Sequence, residues 1–255
     1  MQTDKEIIKK RFGKKLSSYH QEAVVQKDIA QKLADIFSQI YPQRIQKALE
    51  IGCGSGFLTK EFILRTKIDE LYLNDIADSA QIETEKVLSK LATTNYQFLL
   101  GDAELLDFPS QLDLVFSSSC LHWFNDLQSF FEKVHGHLQK DGVLAFSSFG
   151  EYNFEEIKHS LGISLKYYSL QEQVDLLNNG FEVLKAVEWT ESIRFETPLD
   201  VLKHIRKTGT NALSNKPFGK NHLKLFTEEY VKLFTQDDNS VTLTYHPIII
   251  IAKKK

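Results

Sequence analysis

Cysteine is scarce. Cys53 and Cys120 are the only two in 255 residues, and their spacing offers neither a disulfide framework nor a zinc ligand set. A reducing compartment is therefore expected. A dominant charge is missing as well: 31 Lys and Arg nearly balance 34 Asp and Glu, for a net charge of −3, so the average charge gives no attraction to nucleic acid. Long apolar runs are also absent. The longest aliphatic stretch, Ile248 to Ile251, falls far below the roughly 20 residues that cross a bilayer, and the opening Met1 to Glu6 lacks the apolar stretch of a signal peptide. These absences lead to the expectation of a cytoplasmic protein with no membrane and no nucleic acid among its partners.

What is present is 42% hydrophobic and 25% charged residues, the composition of a chain that buries a sizeable core. Disorder, collagen and small disulfide scaffolds are excluded. The length suits one large α/β domain with an insertion, or a domain with a small cap. Positive charge is clustered. Lys5, Lys9, Lys10, Arg11, Lys14 and Lys15 stand against the single acid Glu6, and Lys203, Arg206, Lys207, Lys216, Lys220 and Lys224 fall in a stretch without Asp or Glu. Such patches either attract something negative or are simply solvated faces.

Ser17 to Ile40 places Ile29, Leu33, Ile36, Phe37 and Ile40 at helical spacing, and Pro42 ends that helix. Strand and helix patterns then alternate. Lys47–Ile51 reads as a strand, Gly52–Gly56 as a turn and Phe57–Arg65 as a helix; strands follow at Leu71–Leu73, Tyr96–Leu100, Leu112–Phe116 and Gly142–Phe149. The pattern implies right-handed βαβ units, a mostly parallel sheet with helices on both faces, and ligands beyond the carboxyl ends of the strands. Residues 1–44 form an N-terminal helical segment, 45–150 the core, 151–239 an insertion with one strand candidate near Phe181–Phe195, and 240–255 a returning strand. Pro247 predicts a bulge or a strand start within Val241–Ile251.

The chemistry gathers at the strand ends. Glu50-Ile-Gly52-Cys-Gly54-Ser-Gly56 lies between a strand and a helix, where glycine lets backbone approach a ligand. Phe57 occupies the third glycine position of the dinucleotide fingerprint, and Glu50 suits an ammonium better than a pyrophosphate. The alternative is a structural turn. Asp75, after the second strand, can accept from two ribose hydroxyls, and Asp102, after the third, can accept from an adenine amine; each could instead cap a helix. His135 and His137 point to different helix faces, so no metal site is expected. Trp123, Phe124, Phe130 and Phe131 read as core.

Leu49–Gly56, Asn74-Asp75, Gly101–Ala103 and Leu112–Ser117 together resemble the class I S-adenosylmethionine-dependent methyltransferases. The resemblance implies a Rossmann-like seven-stranded sheet with a helical lid insertion. Gly52, Gly54 and Gly56 would cradle the cofactor, with Glu50, Cys53 and Ile76 beside them; Asp75 would hold the ribose, Asp102 and Ala103 would meet the adenine, and Ser117 would lie beside the methionine part. Arg11-Phe-Gly13, Ser18-Tyr19, Ala23–Gln26, Ser117–Trp123, Leu202–Ala212 and Leu243–His246 further resemble the malonyl-acyl carrier protein O-methyltransferases of biotin synthesis, so the likeness spans nearly the whole chain. His122 in place of Gln, Ser118 in place of Asn, and an extra residue pair before Thr208-Gly209 depart from that pattern and bear on substrate contacts rather than on the cofactor site.

The resemblance implies methyl transfer from S-adenosylmethionine to the free carboxylate of malonyl-acyl carrier protein or malonyl-coenzyme A, leaving S-adenosylhomocysteine. Such a carboxylate is already ionised at neutral pH, so no general base is needed and positioning dominates. The N-terminal segment and the insertion are candidates for a lid. Tyr19 and His122 are expected to line the transfer pocket, and Lys203, Arg206 or Lys207 to bind the carboxylate or to dock an acidic carrier. Methylation of another small acid or a quinone, or cofactor binding without catalysis, are the alternatives.

Overall fold

A computed structural model describes residues 3–13, 16, 19, 22–41, 43–91, 95–208 and 219–255. Met1, Lys14, Lys15, Ser17, Ser18, Pro42, Gly209, Thr210, Asn211, Ala212 and Lys216, used above in the sequence patterns, lie outside the described residues, as does the side chain of Lys220. Helices α1 (Lys5–Gly13) and α2 (Val24–Ile40) lie before the sheet. On α2, Val25, Ile29, Ala30, Leu33, Ala34 and Phe37 are buried at the i, i+3, i+4 spacing of a core-facing stripe.

The core then alternates: β1 (Ile45–Ile51), α3 (Phe57–Arg65), β2 (Ile68–Asp75), α4 (Asp78–Lys90), β3 (Tyr96–Leu100), β4 (Leu112–Ser117), a short 3-10 turn (Leu121–Trp123), α5 (Leu127–His137) and β5 (Leu138–Phe149). β5 begins before the expected Gly142, its register on β4 shifting between Leu112 and Leu114. The remaining elements are α6 (Glu155–Leu161), α7 (Leu170–Leu177), β6 (Phe181–Glu188), β7 (Glu191–Phe195), α8 (Pro198–Lys207), α9 (Lys220–Phe234), β8 (Val241–Tyr245) and β9 (Pro247–Lys254).

Seven strands form one sheet in the order β3-β2-β1-β4-β5-β9-β6, with β9 antiparallel to both its neighbours. Ile248 to Ile251 sit in β9 with no exposure, covered on both faces; each such side chain contributes about 1.5–3 kcal/mol as an upper bound. The isoleucine run is thus an interior strand. Because β6 is the outer strand of this sheet, the 151–239 segment is not wholly an insertion.

The single strand expected over Phe181–Phe195 is two, β6 and β7, and Val241–Ile251 likewise divides into β8 and β9. The break falls at His246. Its carbonyl accepts from Gly150 N (2.8 Å), its N–H donates to Asn153 Oδ1 (3.2 Å), and its Nδ1 accepts from Tyr152 N (3.2 Å), so the backbone pairs with residues 150–153 instead of a strand. Pro247, which has no N–H to donate, starts β9. β7 and β8 pair with each other as a two-stranded ribbon. Val25 and Ile29 of α2 pack with Phe149, Val201, Phe226, Tyr230 and Tyr245 in a cluster separate from the two that cover the sheet faces. Among the described residues no helix is long and apolar enough to cross a membrane.

Candidate active site

The chain runs β1 to β2 on one side of the sheet and returns to β4 on the other, which makes the carboxyl ends of β1 and β4 a topological switch point. Parallel register brings the ends together: Ile51 lies opposite Asn74 of β2 and Ser117 of β4, and Asp75 opposite Leu100 of β3.

From Ile51 the backbone turns through Gly52 with φ 68°. A Cβ there would stand 2.3 Å from Cys120 Sγ, so both conformation and packing demand glycine. Gly56, at φ 76°, precedes α3, and a Cβ on it would meet Val87 of α4 at 3.1 Å. Its purpose is close packing of the two helices. The loop is held by Asp75, whose Oδ2 accepts from Gly54 N at 2.9 Å and whose Oδ1 accepts from Ala77 N at 2.8 Å. Burial pushes the Asp75 carboxyl up to about 6, against the opposing pull of the backbone N–H groups of Ala77, Gly54 and Ile76.

Glu50 is 1% exposed and accepts from Thr59 Oγ1 at 2.6 Å. Burial pushes its carboxyl up to about 8, with the Thr59 hydrogen bond opposing. It forms no ion pair among the described residues. Across the loop, Lys5 of α1 reaches Glu104 (2.6 Å) and Asp102 (3.5 Å) and lies 4.4 Å from the centre of the Phe124 ring. Thr3 N donates to Asn125 Oδ1 and Ser79 Oγ to Gly13 O, so α1 is pinned at both ends. A Cβ on Gly54 would lie 3.4 Å from the Phe12 ring, which places α1 directly over the glycine loop.

These groups line a cavity that, counted together with its open mouth, spans about 870 Å³. Of the residues expected at the site, Tyr19, Glu50, Gly52, Cys53, Gly54, Asp75, Ile76, Asp102 and Ala103 line it. Tyr19 packs on Phe12 and Phe57, and burial raises its hydroxyl pKa. Gly56 lies behind the wall, as does Ser117, whose buried Oγ donates to Ile51 O at 2.8 Å and ties β4 to β1.

His122 is not part of the lining. Its ring sits 5.0 Å from those of Trp123 and Phe149 and 6.2 Å from that of Tyr167, and burial drives its pKa down to about 3, so the imidazole is neutral and a poor base. Lys203, Arg206 and Lys207 stand on the exposed face of α8, away from the cavity, with Lys203 on Asp200 (2.8 Å) and Lys207 on Glu22 (2.6 Å). They do not bind a carboxylate inside it. His135 and His137 pack instead on Phe181 and Phe108.

The structure adds Lys5, Ile8 and Phe12 of α1, Gln26 and Ala30 of α2, and Ser118, Ser119 and Cys120 after β4. Trp123 and Phe124, expected in the core, also line the cavity. A polar residue inside the buried stripe of α2 was the available signal for Gln26.

Residues 49–146 match the methyltransferase domain family. Over 262 residues the chain is 37% identical to a malonyl-[acyl-carrier protein] O-methyltransferase of Bacteroides thetaiotaomicron, covering 99% of each. A protein of that name from Haemophilus ducreyi is 36% identical over 252 residues, covering 98% of this chain and 97% of its own. In a third, from Bacteroides fragilis, the 35% identity covers 99% of this chain, which spans 51% of that longer protein. Among solved structures, YcgJ of Bacillus subtilis aligns with TM-score 0.65 at 16% identity, covering 88% of this chain and 98% of its own. The N-methyltransferase NodS of Bradyrhizobium japonicum, in complex with S-adenosyl-L-homocysteine, aligns with TM-score 0.59 at 9% identity over 97% and 98%. These two share the fold. The full-length identities assign more: the chain belongs to the malonyl-[acyl-carrier protein] O-methyltransferase family.

Proposed function

We propose that this chain methylates the free carboxylate of a malonyl thioester carried by an acyl carrier protein, with S-adenosylmethionine as the donor. The observation that carries this reading is one cavity joining the glycine loop and its buried carboxylates to a wall of hydroxyl, thiol, amide and aromatic groups, in a chain similar over its full length to relatives named for that reaction. The residues fit the donor. Glu50 is a buried carboxylate without a cationic partner among the described residues, suited to an α-ammonium, and Asp75 retains lone pairs for ribose hydroxyls after serving Gly54 and Ala77. Asp102 and Ala103 would meet the adenine, and Gly52, Cys53 and Gly54 the remainder.

When bound, that cofactor supplies a methyl carbon on a sulfonium. An acceptor carboxylate, already ionised at neutral pH, would take that methyl without gaining or losing a proton. The protein therefore needs no general base. Its task is to align the acceptor and exclude water, worth up to several kcal/mol in favourable cases. Ile8 and Phe12 of α1, with Tyr19, Phe57 and Trp123, provide apolar walls for that purpose.

The decisive assay follows labelled methyl from S-adenosylmethionine to malonyl-acyl carrier protein, with acetyl-acyl carrier protein alongside. Transfer to the malonyl form alone is expected; transfer to neither, with cofactor binding intact, moves the activity to another acceptor such as a small acid or a quinone.

The exposed face of α8 suits an acidic carrier. Changing Lys203→Glu, Arg206→Glu and Lys207→Gln together is expected to raise KM for the carrier-bound substrate at least about tenfold at low salt while changing malonyl-coenzyme A turnover less than about twofold. Gln is chosen at Lys207 so that no new acid faces Glu22. Equal losses on both substrates would count against carrier docking on this face.

A further inference from the structure

Helix α1 crosses the cavity as a strap. The side turned toward the cavity carries Lys5, Ile8 and Phe12, while Glu6, Lys9 and Lys10 on the other side are exposed. One end is tied beside the start of α5, where Thr3 N donates to Asn125 Oδ1 at 2.6 Å and Asn125 Nδ2 to Thr3 O at 3.2 Å. The other end is tied to α4, where Ser79 Oγ donates to Gly13 O at 3.1 Å. Hydrogen bonds so near the surface compete with water and hold a helix only loosely.

The ionic tie is of another kind. Lys5 Nζ stands 2.6 Å from Glu104 and 3.5 Å from Asp102, with the Phe124 ring centre at 4.4 Å, and all three charged side chains are less than a fifth exposed. Salt screens such a group less than it screens an open surface pair. Glu104 is a fixed anchor, because its carboxylate also accepts from Asn125 N at 3.0 Å and Asp126 N at 2.9 Å. Asp102 is held on one side only. Its Oδ1, the oxygen nearer Lys5, accepts from Glu104 N at 3.0 Å, whereas its Oδ2 takes no hydrogen bond among the described residues, and Asp102 lines the cavity.

Resting on the reading above of S-adenosylmethionine as the donor with Asp102 at its adenine, we propose that Lys5 is a positioning residue for the cofactor and the latch of α1. One ammonium holds the strap down across the site and keeps Asp102 turned so that Oδ2 is the oxygen left for the adenine amine. The strap cannot lift without withdrawing that cation from Asp102, so closure and adenine binding strengthen each other. Release of the Lys5 latch therefore sets the rate of cofactor exchange.

The test follows association and dissociation of S-adenosylhomocysteine by stopped flow, and amide hydrogen exchange along α1 in the complex, for wild type, Lys5→Met, Lys5→Arg and Ser79→Ala. Methionine keeps an apolar stem on Phe124 and removes the charge. Lys5→Met is expected to speed dissociation at least about tenfold and α1 exchange by a similar factor, with association slowed less than about twofold. Lys5→Arg should stay within about threefold of wild type. Dissociation from wild type should quicken as salt rises from about 0.05 to 0.5 M, and Lys5→Met should lose that dependence. Ser79→Ala, which loosens the far end of α1 without touching Asp102, should change dissociation less than about threefold. Wild-type dissociation in folded Lys5→Met, or equal acceleration by Ser79→Ala, overturns the latch and leaves the donor reading standing. A wild-type protein that binds no S-adenosylhomocysteine overturns both.

Discussion

Asp75→Asn is expected to weaken S-adenosylhomocysteine binding at least about 100-fold by titration calorimetry. Both carboxylate oxygens of Asp75 accept from the backbone, Oδ2 from Gly54 and Oδ1 from Ala77. Asparagine has one oxygen, so its NH2 must face one of those N–H groups, donor against donor. Losing one charge-assisted bond and leaving a buried N–H unpaired costs roughly 3 kcal/mol or more in combination, a factor of about 100 or more when expressed as binding. The cost falls on the turns that Asp75 holds before the ribose is considered, since either Gly54 or Ala77 is released. Calorimetric affinity within about threefold of wild type would show that the loop holds its shape without Asp75.

Cofactor affinity of the wild type is expected to peak near pH 8, with a fall of about tenfold per pH unit on the acid side that Glu50→Gln abolishes. Burial pushes the Glu50 carboxyl up to about 8, close to the ~7.7–8.0 of a free α-amino group. The pair therefore wants a single proton between them. Below this pH both are protonated and binding must expel one; above it both are bare and binding must take one up. Stability has the opposite sign. An acid whose folded value lies above its unfolded value contributes most below the unfolded value, and that contribution is lost as pH rises from the ordinary carboxylate range toward 8. Glu50→Gln without cofactor should thus match wild type in melting temperature near pH 5 and exceed it near pH 8, although it binds cofactor less tightly at that pH. A flat affinity profile between pH 6 and 9 in wild type would reject the shared proton.

Local patterns made the β1–loop–α3 unit legible, because a glycine at φ 68° and a buried acid just before it leave few other readings. Asp75 and Asp102 were visible for the same reason, as acids where strands end. The outward face of α8 could also be read, since Pro198, Val201 and Ile205 are its buried positions and Lys203, Arg206 and Lys207 fall between them. What escaped depends on distant partners. The interruption at His246 is imposed by residues 150–153, some ninety positions away in the chain. His122 follows Ser117 closely in sequence, yet the turn Leu121–Trp123 puts Trp123 in the cavity wall and the imidazole in an aromatic nest. Gln26 looks like one polar residue on an amphipathic helix until the fold sets it in the cavity wall.

The ribbon of β7 and β8 carries a consequence for anyone who would exchange the outer segment between relatives. Its two joints to the sheet, at Trp189 and His246, are clasped: Trp189 N donates to Pro247 O at 3.2 Å, and Glu188 meets His246 Nε2 at 3.1 Å. A graft of α8 must therefore import both joints and the 150–153 loop that fastens them, or its basic face will point in the wrong direction. In this architecture the aim of that basic face is inherited from the hydrogen bonds of a single histidine.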